Sequence, residues 1–553
     1  MPLRITIFTL LAFLAVTATI PLRAQTPAWG WATSIGGVGS ENPQTIATDG
    51  TGNLYISGRL GGIVQLGSFH LGFPDSITQF VASWSPGGTL RWARAAVTGA
   101  HIVFGGMSVD ANGDVYVTAA FKGSSAHIDR GGSDTTIAGA PGTTMMVFKY
   151  DSTGTLVWER SANGSGANIV NGISVAPQGI WIAGSFSESV DAWGTTLVSS
   201  GSSDLFLAML DRNGTAMHVM RAGGTGTDLV DAVAADRTGN AVLLGRFSGT
   251  ADFGSRQLAA QGPSDFFLAD FTPDGTATWV RQDGGTSFSP IGMQLAVAPS
   301  GVIYVGITYF DRVTVGSTTF PVADEADALL VQYDAGGAPV WTFPVSGGFI
   351  QELTGLAADA AGNVYAAGFS QGGLPTGDMF VMKVAPAGSR TWLASNAAGD
   401  GMYSSQGGPV CVDGRQNVYV SGSFSGSERF GATQLTSVGS TPTSTNGTDI
   451  FLARLNSTSG VEMNGTGGTQ TVKAAVAERD GWLDISIPGL DPAPLEAELY
   501  TMRGNRVAAT ASFTSGGGSN TGRIAASGLA RGAYLLVLHT ASGIASQTVF
   551  IQR

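Results

Sequence analysis

One phrase recurs along this chain and limits the folds open to it. It consists of small apolar residues, a turn of Asp, Asn and Gly, then an aromatic residue inside a short β-forming run. It reads Asp49-Gly-Thr-Gly-Asn53-Leu-Tyr55, Asp110-Ala-Asn-Gly-Asp114-Val-Tyr116 and Ala176-Pro-Gln-Gly-Ile180-Trp181. It returns as Asp236-Arg-Thr-Gly-Asn240-Ala-Val242, Ala298-Pro-Ser-Gly-Val302-Ile-Tyr304, Asp359-Ala-Ala-Gly-Asn363-Val-Tyr365 and Asp413-Gly-Arg-Gln-Asn417-Val-Tyr419. A repeat of about sixty residues is a supersecondary unit that cannot bury its apolar faces alone and must stack on its neighbours.

A second phrase completes each period: an apolar run, a Gly turn and a strand bearing Trp. Asp265 to Ala269 leads through Gly275 to Trp279, and Asp327 to Val331 leads through Gly337 to Trp341. Tyr150 to Trp158 and Asp378 to Trp392 repeat the plan, while the third copy carries Met217-His218 where Trp is expected. Between the phrases lies an apolar-Gly corner, as in Phe253-Gly254 and Phe430-Gly431. About four strands per period, with no 3.6-residue periodicity, predict an all-β chain of radially stacked sheets, a β-propeller. The N-terminal Trp29-Gly-Trp31 run looks like the end of a repeat, and the last copy never reaches its Trp. The expectation is a seven-bladed ring whose first strand completes the last blade and removes two open edges.

These phrases resemble the bacterial β-propeller repeats called SBBP repeats, over roughly residues 29 to 460. The resemblance implies architecture and is nearly silent on activity.

Composition supports an exported protein. Of 553 residues, 81 are Gly and 22 Pro, yet 43% are hydrophobic, which argues for a packed core over disorder. Only 12% are charged, and the net charge is −12 with no basic cluster, which argues against nucleic acid as a partner. Residues 1–24 read as a signal peptide: Arg4, an apolar stretch from Ile5 to Ile20, then Pro21 and Ala24 before a cut at Gln25. No later segment is long and apolar enough to predict a transmembrane helix. The lone Cys411 sits in an apolar run and reads as a small buried hydrophobe.

The expected domains are the propeller over 25–463, a Gly-rich linker over 464–472, and a small Ig-like β-sandwich over 473–553. The last region resembles the C-terminal sorting domain of type IX secretion cargo, through Leu499-Tyr500 and Gly504, then Leu529, Gly532 and Tyr534. Gln547 and Gln552 stand where that family usually carries Lys. The resemblance implies the type IX secretion machinery as partner, and an extracellular or outer-surface location after export to the periplasm.

Sites of chemistry are sparse. His70, His101, His127, His218 and His539 form no metal-ligand spacing, and no Gly-x-Ser-x-Gly elbow is present. Asp110-Ala-Asn112-Gly-Asp114 lacks the Gly and Glu of a calcium loop and reads as a turn. No catalytic, cofactor-binding or metal residue is assigned, and no cofactor is expected. The leading reading is a secreted or surface binding scaffold for a glycan or surface protein. An extracellular polysaccharide hydrolase or lyase, with its site at one mouth of the channel, is the alternative.

Overall fold

The computed structural model describes residues 27–456 except 74–75, 100, 131–133, 255, 289, 324, 346–349, 372–378, 397–404 and 439–446. Beyond 456 it describes only the backbone of strands between 475 and 551. The signal peptide and linker expectations lie outside the described residues.

The strands form antiparallel sets of four, and all but the last run in chain order. Set A holds Asn42–Thr48, Leu54–Gly61, Ile77–Trp84 and Leu90–Gly99. Set B holds Ile102–Val109, Val115–Lys122, Thr143–Tyr150 and Leu156–Gly164. Set C holds Asn168–Val175, Ile180–Phe186, Asp204–Leu210 and Ala216–Gly224. Set D holds Leu229–Ala235, Ala241–Phe247, Asp265–Phe271 and Ala277–Asp283. Set E holds Pro290–Val297, Ile303–Tyr309, Asp327–Tyr333 and Pro339–Val345. Set F holds Ile350–Ala358, Val364–Gln371, Met379–Val384 and Arg390–Ser395. Set G takes Ser405–Val412, Val418–Phe424 and Asp449–Leu455, and its fourth strand is Trp29–Ile35 from the start of the chain. Each first strand touches the first strands of the sets before and after, and that of A touches that of G. The sheets therefore close radially around an axis. This is an all-β propeller, with no helix among the described residues.

Ring closure follows the sequence expectation. Trp29–Ile35 pairs antiparallel with Asp449–Leu455, from Trp29 against Leu455 to Ile35 against Ile450.

The cores lie between sets, as stacking requires. Val81 and Trp92 of A pack with Val117 and Phe148 of B. At the closing seam, Ile56 and Phe80 of A pack with Tyr419, Leu452 and Cys411 of G. Burial pushes the Cys411 thiol well above its ordinary pKa, so it behaves as an apolar side chain. The apolar run of the second phrase forms the third strand, buried along its whole length in Asp204–Leu210, Asp265–Phe271 and Asp327–Tyr333. Neighbouring sets cover both of its faces, which explains a continuous apolar run instead of alternation.

Several Trp residues join one set to the next. The indole Nε1 of Trp92 donates to the Ser152 carbonyl at 3.0 Å, Trp158 to Arg212 at 3.1 Å and Trp341 to Pro386 at 2.9 Å. Across the seam, Trp31 donates to the Pro86 carbonyl at 3.2 Å. The turn glycine lies over the ring: at Gly154 (φ 81°) a Cβ would stand 2.5 Å from Trp92. Both the positive φ and the close approach demand glycine there. In the third copy His218 takes the Trp place beneath Gly275.

The turn phrase acts as an internal cap. Asp49 Oδ1 accepts the N–H groups of Thr51 and Asn53, and Oδ2 accepts Asn53 Nδ2 and the Tyr55 hydroxyl at 3.0 Å. Asp359 with Tyr365 and Asp413 with Tyr419 repeat this network. Replacing the buried Tyr365 by Ala is expected to lower stability by about 3–5 kcal/mol in denaturant unfolding, and replacing the half-buried Trp341 by less. Full stability in both variants would contradict their packing role.

The apolar-Gly corner adds strands beyond the four expected per period. It is a two-stranded hairpin, for example Thr250–Asp252 with Gln257–Ala259. It leans back onto the outer strand of the preceding set, pairing Asp252 with Gly223 and Ala251 with Gly224. Asp191 to Asn163, His127 to Thr98 and Val64 to Gly37 make the same link. An outer strand thus gains a partner along part of its edge, which limits edge-to-edge association.

The C-terminal strands form two antiparallel sheets. One is ordered Ala475–Arg479, Trp482–Pro488, Ser519–Ala525, Thr514–Gly516. The other is ordered Arg506–Ser512, Glu496–Thr501, Gly532–Thr540, Gly543–Ile551.

Candidate functional site in the propeller channel

The first strands surround the axis, and every one of them is bulged. The register slips between Pro43 and Thr45, Phe104 and Met107, Val170 and Gly172, and Val230 and Ala232. It slips again between Pro290 and Gly292, Leu353 and Gly355, and Gly407 and Val410. A bulge bends the strand and leaves an extra residue unpaired. Small neighbours let the bulged strands approach one another: at Gly355 a Cβ would stand 2.8 Å from the Gly408 carbonyl oxygen.

A cavity of about 400 Å³ lies among these bulges, lined by the polar residues Gln44, Asn171, Asp231, Gln294 and Thr354. Met107, Met293 and Leu356 supply apolar surface. A recess of about 290 Å³ shares Gln44, Gln294 and Thr354 and adds Asn42, Glu352 and Gln406.

The charges in this channel are constrained. Arg246 forks onto Asp231, Nε to Oδ2 at 3.0 Å and Nη2 to Oδ1 at 2.9 Å, occupying both carboxylate oxygens. Burial raises the Asp231 pKa and Arg246 opposes it; burial alone raises Glu352. In set A Arg59 holds the strand place of Arg246, and Gln44 holds the bulge place of Asp231. The Arg59 Nε and the Gln44 Oε1 are both buried without a partner. Asn171 and Gln294 have no side-chain hydrogen bond among the described residues.

The histidines fall elsewhere. His127 lies on an outer hairpin, its Nδ1 3.3 Å from Thr136 Oγ1, and His70 pairs with Gln65 on another hairpin. His101 precedes the first strand of B, and His539 lies on a C-terminal strand. Among the described residues no three His, Cys, Asp or Glu side chains gather as a metal site. Asp110 is spent as a turn: its Oδ1 accepts the Asn112 and Asp114 N–H groups, and Arg212 holds Oδ2 at 3.1 Å.

Of the sorting-motif residues, Leu499 and Tyr500 lie on Glu496–Thr501, and Gly532 and Tyr534 open the adjacent Gly532–Thr540. The register sets Tyr500 against Leu535 and Thr501 against Tyr534, bringing the two motif halves side by side. Gly504 and Leu529 lie outside the described residues.

The channel residues were not singled out from the sequence. One signal existed: Gln44, Gly105, Asn171, Asp231 and Thr354 each stand five residues before the turn residue of their copy.

No family model matches the chain, and no curated protein matches it. Among solved structures it is similar to cobalt-substituted Synechocystis ACO, at 11% identity and TM-score 0.34, over 78% of this chain and 95% of that one. It is also similar to puromycin hydrolase, at 11% identity and TM-score 0.30, over 72% of this chain and 62% of that one. Likenesses this shallow carry no argument, and the propeller rests on the strand pairing itself.

Proposed function

We propose that the protein is a binding scaffold working outside the cell, a ring of seven blades with its site in the central channel. The seven-blade reading is supported by sets A to G, each giving one bulged strand to the axis. The observation that carries the binding reading is the lining: unpartnered amides surround the cavity, while its Asp231 is committed to Arg246. A general acid or base needs a carboxyl free to exchange a proton with substrate, and the carboxyl lining the cavity itself, Asp231, is held by Arg246. Loop variation on a rigid ring is a general reason for sites to gather at a channel mouth.

The export reading rests on the ends of the chain. The signal-like residues 1–24 would deliver the protein to the periplasm, and the C-terminal sandwich would serve as the second address, through a type IX-like route. Its support is the resemblance of the SBBP-type repeats and of the sorting motif, with Leu499-Tyr500 and Gly532-Ala-Tyr534 on neighbouring strands. Truncation after Gly468 is expected to leave a folded propeller in the periplasm of the native host, and residues 469–553 fused to a periplasmic reporter to reach the surface. Fractionation checks this. Export of the truncated form at the full-length rate would remove the sorting role.

A further inference from the structure

We infer that the channel cavity is a site for an uncharged, polyhydroxylated ligand, a saccharide of one or two rings. This deepens the binding reading above and rests on it.

The size comes first. At about 400 Å³ the cavity falls toward the lower end of the ~300–1,000 Å³ typical of small-molecule sites. The adjoining recess of about 290 Å³ shares its lining and extends the space. Together they suit a compact ligand.

The polar groups select its chemistry. Gln44, Asn171 and Gln294 each carry two amide N–H donors and a carbonyl acceptor. A hydroxyl also donates and accepts, so a ring bearing several of them matches amides arriving from different first strands.

Charge argues against ionic ligands. The lining contains no Lys or Arg, so an anion would be desolvated without a counter-ion. Both oxygens of Asp231 are engaged by Arg246, and burial disfavours the charged form of Glu352, so a cation finds little to hold it. Met107, Met293 and Leu356 complete the match, because the C–H faces of a sugar ring are apolar.

The test is calorimetric titration of the purified chain with neutral monosaccharides and disaccharides, beside glucuronate and glucosamine, repeated on Gln44→Ala and Asn171→Ala. Binding of at least one neutral sugar is expected, weakened about tenfold or more in each variant, with melting temperatures unchanged. Retained affinity in both variants would move the site out of the channel. Binding confined to the charged sugars, or to no sugar, would overturn the ligand class. In either case the scaffold reading survives if the chain retains another partner. Turnover of a polysaccharide in a parallel hydrolysis screen would overturn the scaffold reading itself.

Discussion

Deletion of residues 25–37 is expected to unlatch the ring and cause the largest loss of stability of any short truncation. The deletion removes Trp29–Ile35, the fourth strand of set G, and leaves Asp449–Leu455 as an open edge. It takes away Trp31 from beneath Gly88 and Trp29 from its edge-to-face contact with Phe430 at 5.0 Å. It also removes buried Ile35 from the seam core. At ~1.5–3 kcal/mol for a fully buried large apolar side chain, Ile35 with the half-buried Trp29 and Trp31 contributes about 4–5 kcal/mol before the backbone pairing is counted. Calorimetry and gel filtration should therefore find a melting point lower by about 5 °C or more (from the size scaling) or outright aggregation. A melting curve like that of the intact chain would refute closure by the N-terminal strand.

The second large effect concerns pH. Glu41 is buried at the seam facing Asp449, and burial, with that neighbour, raises its pKa to about 7. The Gly37 and Gly61 N–H groups pull the other way. Asp228 lies buried between sets C and D, near Asp204 and Arg221, and burial raises it to about 6 against its bond from the Gly224 N–H.

A carboxyl with a raised folded pKa binds its proton more tightly when folded. Its contribution favours the fold at low pH and is lost as pH rises from the unfolded pKa to the folded one. Between pH ~4 and 7, stability should therefore fall with rising pH, by at most about 3–3.5 kcal/mol for each group. Asp49 and Asp151 work in the opposite sense. Burial pushes them up, but hydrogen bonds from Asn53 and Thr51, and from Thr153 and Thr155, outweigh it and hold them low. Their contribution is present above the ordinary carboxylate range and is lost in stronger acid. Stability should peak in mild acid, and Glu41→Gln should raise the melting point at pH 8 while flattening the slope. A melting point that climbs steadily from pH 4.5 to 7.5 would refute the assignment.

What could be read from the sequence depended on how local each feature is. The Asp-to-Tyr turn was legible because Asp49, Asn53 and Tyr55 bond within a few residues of one another. The closing strand was legible because Trp31 keeps the spacing of a repeat end and the last copy lacks one. The bulges were not, because a register slip such as that at Asn171 is a relation between strands and leaves no mark on alternation. The backward lean of the outer hairpins was hidden for the same reason: Asp252 meets Gly223 of a preceding period, and neither residue names the other. The channel chemistry followed the bulges out of sight.

The pairing of Trp29 with Leu455 also bears on the order in which the molecule is made. A chain delivered N-terminus first presents its latch at the outset, while the strand that receives it arrives last. Glu41 waits similarly for Thr448, 407 residues away. Because closure entropy grows only logarithmically with length, this separation costs the finished ring little. The burden is one of time. Until residue 455 is made, the first strand has no partner and the growing arc keeps two unsealed flanks, so the incomplete chain is the form most exposed to edge-to-edge association.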